Sequence, residues 1–200
     1  MLSKNLESII AQLEELTRSL FPEILKIYQN PNSGAQEKKD GSPVTAADML
    51  AHKIIVKFLE NHFPDIPIVS EESFKQKNYR PAKEFWIIDP IDGTVNYLYG
   101  IPHFCISIAL RDKERHEITM GLIYDPMLDE LWTVEKGKAP ILNGTPITCS
   151  SRKNLEEAIL FVGCGIDKEA LATGLEWFVR ASTKARMMRM MGSAALGMAY

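Results

Sequence analysis

The sequence predicts an α+β fold built on a largely antiparallel sheet, and three observations carry that reading. Apolar residues recur at helical spacing in two N-terminal stretches, Leu6, Ile9, Leu13 and Leu20 in the first and Leu50, Ile54 and Phe58 in the second. From Phe85 onward, short apolar runs follow one another with connections too brief to hold crossover helices, which only antiparallel neighbours can do without. Asn143-Gly144 is the residue pair of a tight two-residue hairpin. We read residues 1–200 as one domain, with a helix pair and the main sheet in 1–150 and a smaller C-terminal layer in 151–200.

In chain order, Leu2, Leu6, Ile9, Ile10, Leu13, Leu16 and Leu20 form one apolar stripe. Pro22 is expected to interrupt or restart that helix, with Ile24, Leu25 and Tyr28 carrying the stripe to Pro31. Residues 32–42 are polar, hold Gly34 and Gly41, and read as a loop. Its lysines are either solvated, or Lys39 or its neighbour closes over a bound phosphate. Thr45-Ala46-Ala47-Asp48 has the form of a capping box, with Thr45 as cap, and the helix it starts should end before Phe63-Pro64. Asp48 thus has a sufficient structural role in the cap. A short strand at 66–69 ends in Ser70-Glu71-Glu72-Ser73. These acids are either a solvated loop or, since adjacent residues of extended chain face opposite ways, one of them turns inward.

Phe85-Trp86-Ile87-Ile88 reads as a strand buried on both faces, and Asp89-Pro90-Ile91-Asp92-Gly93-Thr94 follows it directly. Pro90 disfavours helical backbone at Asp89, so the chain stays extended. Asp89, the Ile91 carbonyl and Asp92 can then converge as hard oxygen ligands of the kind Mg²⁺ takes. Gly93 and Thr94 offer amides at a helix start, suited to a phosphate. The residues alone also admit a plain capped turn, because Asp-Pro and Asp-Gly are common turn dipeptides. Beyond this stretch, Phe104, Ile106, Ile108 and Leu110 alternate with smaller residues. Further strands are expected at 118–124, 131–134, 158–162 and 186–189, with Asp167 capping a helix to about Arg180 and Gly192-Ser193-Ala194-Ala195 opening a last one.

Composition narrows the class. Apolar residues are 46% and charged residues 24% of the chain, ordinary for a globular protein, and the net charge is −3. That balance gives no basic footprint for nucleic acid or for an anionic membrane surface. Three scattered cysteines, Cys105, Cys149 and Cys164, show neither zinc nor disulfide spacing, so a reducing, cytoplasmic setting is expected. No signal-peptide pattern and no apolar run near ~20 residues is visible. His52, His62, His103 and His116 lie on separate segments and are read as structural. Met187, Met188, Met190 and Met191 are read as core and interface filler.

With Glu71-Glu72 upstream, the run Trp86-Ile87-Ile88-Asp89-Pro90-Ile91-Asp92-Gly93-Thr94-Val95-Asn96-Tyr97 resembles the inositol monophosphatase family. That family is part of the lithium-sensitive, Mg²⁺-dependent phosphomonoesterase superfamily, with fructose-bisphosphatases and 3′-phosphoadenosine 5′-phosphate nucleotidases. Ser42 to Asp48, Gly121 to Met127, Leu142-Asn143-Gly144 and Arg189 to Ala195 are similar to family segments as well. The resemblance implies a layered α/β/α/β sugar-phosphatase-like fold, Mg²⁺ as cofactor, a small phosphorylated substrate and a homodimer. It implies that Glu71, Asp89, the Ile91 carbonyl and Asp92 bind the metal. Thr94, hydrogen-bonded to Asp48, would orient the attacking water, with Glu71 the third catalytic residue. The Gly93 and Thr94 amides would hold the phosphate, and Asp92, Gly192, Ser193 and Ala194 would line the alcohol side.

Two departures from the family pattern stand out. Its C-terminal Trp-Asp motif has no counterpart within these residues, so the chain is expected to be a fragment or a short form with an incomplete C-terminal layer. Lys138-Ala139-Pro140 stands where the family usually has a glycine before the alanine, a loop change. The expected reaction is hydrolysis of inositol-1-phosphate or a related sugar phosphate. The alternatives are a 3′(2′),5′-bisphosphate nucleotidase, or a truncated, inactive protein-binding module.

Overall fold

A computed structural model describes residues 6–28, 36–37, 43–73, 83–112, 116–164 and 168–200. Helix α1 (Leu6–Tyr28) buries Leu6, Ile9, Leu13, Leu20 and Ile24 along one face. Contrary to the sequence expectation, Pro22 lies inside this helix and does not break it. Leu13, Leu20 and Ile24, on both sides of the proline, are 0–2% exposed, and their shared burial outweighs the one backbone hydrogen bond that proline removes. Leu2, the predicted start of the stripe, lies outside the described residues. The polar stretch is not loop throughout: β1 (Gln36–Glu37) pairs antiparallel with β2 (Pro43–Val44). Lys39 lies outside the described residues.

Helix α2 (Ala46–His62) starts at the predicted capping box and ends at Phe63, whose amide bonds to the Leu59 carbonyl. Strand β3 (Ile68–Ser70) leads to β4 (Glu84–Asp92), and a five-residue helix, α3 (Thr94–Leu98), follows. Three long strands come next, β5 (Cys105–Asp112), β6 (Glu117–Asp125) and β7 (Glu130–Glu135). Asn143 and Gly144, at φ +46° and +78°, turn β8 (Ile141–Leu142) into β9 (Thr145–Pro146) as the Asn-Gly pair predicts. The sheet runs in the order β3-β4-β5-β6-β7-β8-β9. Its first pair, β3 with β4, is parallel, and the others are antiparallel.

The two faces of this sheet carry different loads. Trp86, Ile88, Ile106, Ile108, Leu110, Leu122 and Tyr124 pack with the buried faces of α1 and α2. On the other side Cys105 and Trp132 meet Ala195 and Leu196 of α5 (Ala194–Ala199). The C-terminal layer is a parallel pair, β10 (Ile159–Phe161) with β11 (Met187–Arg189), linked through α4 (Lys168–Ser182). Parallel neighbours need such a crossover, and α4 supplies it. Asp167, the predicted cap of α4, lies outside the described residues. Gly174 lets α4 close on Cys164, whose sulfur would stand 2.2 Å from a Cβ there. Among the described residues no helix is long and apolar enough to cross a membrane.

Candidate active site

The site forms where β4 stops being regular. Asp89 pairs with Ser107 and Asp92 with Cys105, so three steps along β4 match two along β5. The extra residue is a bulge, and it falls at Pro90-Ile91, where a residue without an amide hydrogen costs the ladder nothing. Residues three apart on a regular strand face opposite ways. The bulge is what allows both carboxylates to serve the same end of the sheet.

Parallel pairing brings the second acid. Ser70 stands beside Ile88, and the Glu71 amide bonds to the Ile88 carbonyl at 3.1 Å, which sets Glu71 alongside Asp89. The Glu71 carboxyl lies near enough to act on that of Asp89 through its charge. Burial first, then the charges of Glu71 and Asp92, push the Asp89 carboxyl up to about 8. Its Oδ1 is buried with no hydrogen-bond partner. Two acids pressed together, one with an orphaned oxygen, is an arrangement that a divalent cation relieves. The hard-oxygen donor set fits Mg²⁺. Among the described residues no three His, Cys, Asp or Glu side chains are already drawn round one point.

Asp92 explains why the three are not closed up. Its Oδ2 accepts from Ser193 Oγ at 2.5 Å and the Ala195 amide at 2.7 Å, and its Oδ1 from the Ala194 amide at 3.3 Å. The carboxylate therefore faces the start of α5, where Ser193 is also the cap, accepting from the Leu196 amide. Gly192, at φ +79°, precedes it, and a Cβ there would stand 2.8 Å from Asn96 Nδ2. Of the predicted substrate-facing residues, Ser193 and Ala194 bond to Asp92, and Gly192 precedes them against Asn96.

The third part is the Thr94–Asp48 pair. Thr94 Oγ1 lies 3.3 Å from Asp48 Oδ1 and 3.1 Å from the Ile91 carbonyl. That carbonyl, the predicted backbone ligand, therefore opens toward the threonine. Asp48 divides its oxygens: Oδ2 takes the Thr45 amide at 2.7 Å and Thr45 Oγ1 at 2.5 Å, leaving Oδ1 to Thr94. Burial raises the Asp48 carboxyl above its ordinary range, against the lowering effect of the Thr45 bonds. Gly93 takes φ +96°, and a Cβ there would come within 3.0 Å of the His103 carbonyl, so only glycine makes this turn into α3.

The contacts gather Glu71 with Asp89, Asp92 with Ser193 and Ala194, and Thr94 with Asp48 and the Ile91 carbonyl, while Gly192 lies against Asn96. Sequence reasoning missed Asn96 as a tether: its Nδ2 donates to the His103 carbonyl at 2.8 Å and the Met191 carbonyl at 2.7 Å, joining α3 to the irregular segment between β11 and α5. It also missed a bond from His52 Nδ1 to Ser70 Oγ at 2.8 Å. Neither carries a local sequence signal beyond a polar residue in an apolar setting. A cleft of about 710 Å³ between β10 and α4, lined by Phe161, Val162, Thr173 and Trp177, shares no residue with the site.

Residues 5–200 match the inositol monophosphatase family. The chain is 34% identical over 200 residues to an inositol monophosphatase of Dictyostelium discoideum, covering 97% of this chain and 72% of that protein. It is 38% identical over 166 residues to a fructose-1,6-bisphosphatase/inositol-1-monophosphatase of Thermotoga maritima, covering 82% of this chain and 60% of that protein. A solved suhB structure from Bartonella henselae superposes with a TM-score of 0.85 at 29% identity, over 96% of this chain and 74% of that one. Sequence match and fold agree, and the chain belongs to the inositol monophosphatase family.

Proposed function

We propose that this protein hydrolyses a small phosphate monoester, inositol-1-phosphate or a related sugar phosphate, with Mg²⁺ held by Glu71, Asp89, the Ile91 carbonyl and Asp92. The observation that carries the reading is the crowded Glu71–Asp89 pair with its orphaned oxygen, placed beside the Thr94–Asp48 hydrogen bond. A bound Mg²⁺ supplies positive charge against the ester's oxygens and makes water more acidic. Thr94 orients the attacking water by accepting its hydrogen bond, and its own hydroxyl stands within donating distance of Asp48 Oδ1, at 3.3 Å, and of the Ile91 carbonyl, at 3.1 Å. Burial makes Asp48 a better proton acceptor than an exposed aspartate, which a hydroxyl relay needs. The Gly93 and Thr94 amides face the phosphate, and Asp92 with the Ser193–Ala194 turn orients the alcohol. Phosphoryl transfer asks mainly for such positioning and charge neutralisation.

The name of the Thermotoga relative supports a sugar-phosphate substrate for this chain. A second reading comes from relatives named Nus factor SuhB, one from Xylella fastidiosa being 40% identical over 154 residues, which cover 54% of that protein. In that reading the fold serves as a binding partner in a larger assembly, and a homodimer is the simplest such assembly. Phosphate release decides between them. Inositol-1-phosphate, fructose-1,6-bisphosphate and a 3′,5′-bisphosphorylated nucleotide are assayed with Mg²⁺ and with EDTA. Release from the first or second, abolished by EDTA, supports the reading; no release from any substrate overturns it in favour of the binding role.

A further inference from the structure

Helix α2 touches both halves of the site from one face. Asp48 and His52 are four residues apart, so their side chains leave the same side of the helix one turn apart. Asp48 reaches Thr94 at 3.3 Å, and His52 Nδ1 reaches Ser70 Oγ at 2.8 Å. Ser70 is the last residue of β3, is 1% exposed, and immediately precedes Glu71.

We infer that His52 is a positioning residue for the metal site, holding Glu71 beside Asp89 through its hydrogen bond to Ser70. The strand end is gripped at successive positions. The Glu71 amide bonds to the Ile88 carbonyl at 3.1 Å, and the Ser70 carbonyl accepts from the Ser73 amide at 3.2 Å. Those two bonds and the pairing of Ser70 with Ile88 fix the backbone but leave the Ser70 side chain free to take another rotamer. The His52 bond removes that freedom and ties the Glu71 side of the site to the helix that also holds Thr94. Among the described residues His52 is also what satisfies this buried hydroxyl. Outer partners of this kind set metal affinity by fixing ligand orientation. Among the described residues β3 is the outermost strand of the sheet, with β4 its one neighbour, so it depends more on side-chain ties than β4 does.

The inference rests on Glu71 being a metal ligand, and the test separates the two claims. Mg²⁺ binding is measured by calorimetry on the full chain for wild type, His52→Ala, His52→Asn and Ser70→Ala. The unfolding midpoint of each is taken in EDTA. His52→Ala and Ser70→Ala are expected to weaken Mg²⁺ binding roughly tenfold or more. His52→Asn should recover most of that loss, because its amide stands near the position of Nδ1 and can donate or accept. Equal weakening by His52→Ala and His52→Asn, or none by either, overturns the inference. Should His52→Ala fail to fold, Ser70→Ala decides, since it removes one oxygen and no packing volume of note. Absence of Mg²⁺ binding in the wild type overturns the functional reading itself, and this inference with it.

Discussion

Gly192→Ala tests how the C-terminal segment is fastened to the site. The position takes φ +79°, where an L-residue costs roughly 1–2 kcal/mol. The new Cβ would stand 2.8 Å from Asn96 Nδ2 and 2.9 Å from its Oδ1, closer than van der Waals contact allows. The Asn96 amide must then move, although it is 7% exposed and spends both Nδ2 hydrogens on the His103 and Met191 carbonyls. Losing two such bonds adds about 1 kcal/mol each, for a local cost of about 3–4 kcal/mol with the strain. The cheaper escape is to lift the 191–195 turn, which takes Ser193 and the Ala194 and Ala195 amides off Asp92. Gly144→Ala is the matched control, because Gly144 has φ +78° with nothing within 4 Å of a Cβ. Hydrogen exchange should show α5 amides losing about 10²-fold protection or more in Gly192→Ala. Gly144→Ala should leave them unchanged, and KM for the phosphate ester should rise only in the former. Equal exchange behaviour of α5 in the two variants would refute the reasoning, since backbone strain alone would then account for everything.

Other perturbations separate the parts of the site. Thr94→Ala should lower turnover about 10²–10⁴-fold while Mg²⁺ still raises the melting temperature, because the role proposed for the hydroxyl is in the proton route and not in holding the metal. Asp89→Asn should stabilise the protein in EDTA, with an advantage that grows with pH. The wild-type folded carboxyl, pushed up to about 8, holds its proton more tightly than the unfolded chain does. Wild-type stability therefore falls as pH rises from the ordinary carboxylate range toward about 8, and urea unfolding at several pH values measures that slope. Added Mg²⁺ should then stabilise the wild type and leave Asp89→Asn unmoved. Li⁺ should compete with Mg²⁺ for turnover, seen as inhibition that rising Mg²⁺ reverses; full activity in high Li⁺ would count against the family's metal chemistry operating here.

Short-range chemistry was readable from residue order. The Thr45–Asp48 capping box, the Asn143-Gly144 hairpin and the Gly93 turn each depend on residues within a few positions of one another. The buried strand ahead of Asp89 was readable because four apolar residues in a row leave few other solutions. What stayed hidden depends on partners far along the chain. Asp92 finds Ser193 across 101 positions, and Asn96 finds Met191 across 95. The bulge at Pro90-Ile91 exists only relative to β5, so no pattern within β4 announces it. Pro22 misled for the opposite reason: a strong local rule was overruled by burial against a sheet that local periodicity does not see.

Asp48 holds the first turn of α2 with one oxygen and Thr94 with the other. Fraying at that helix end is among the earliest and smallest openings a folded chain undergoes. In the proposed mechanism it would disarm the proton acceptor while the rest of the molecule stays intact. Warming should therefore silence the enzyme several degrees before its ellipticity collapses, and the lost activity should return on cooling.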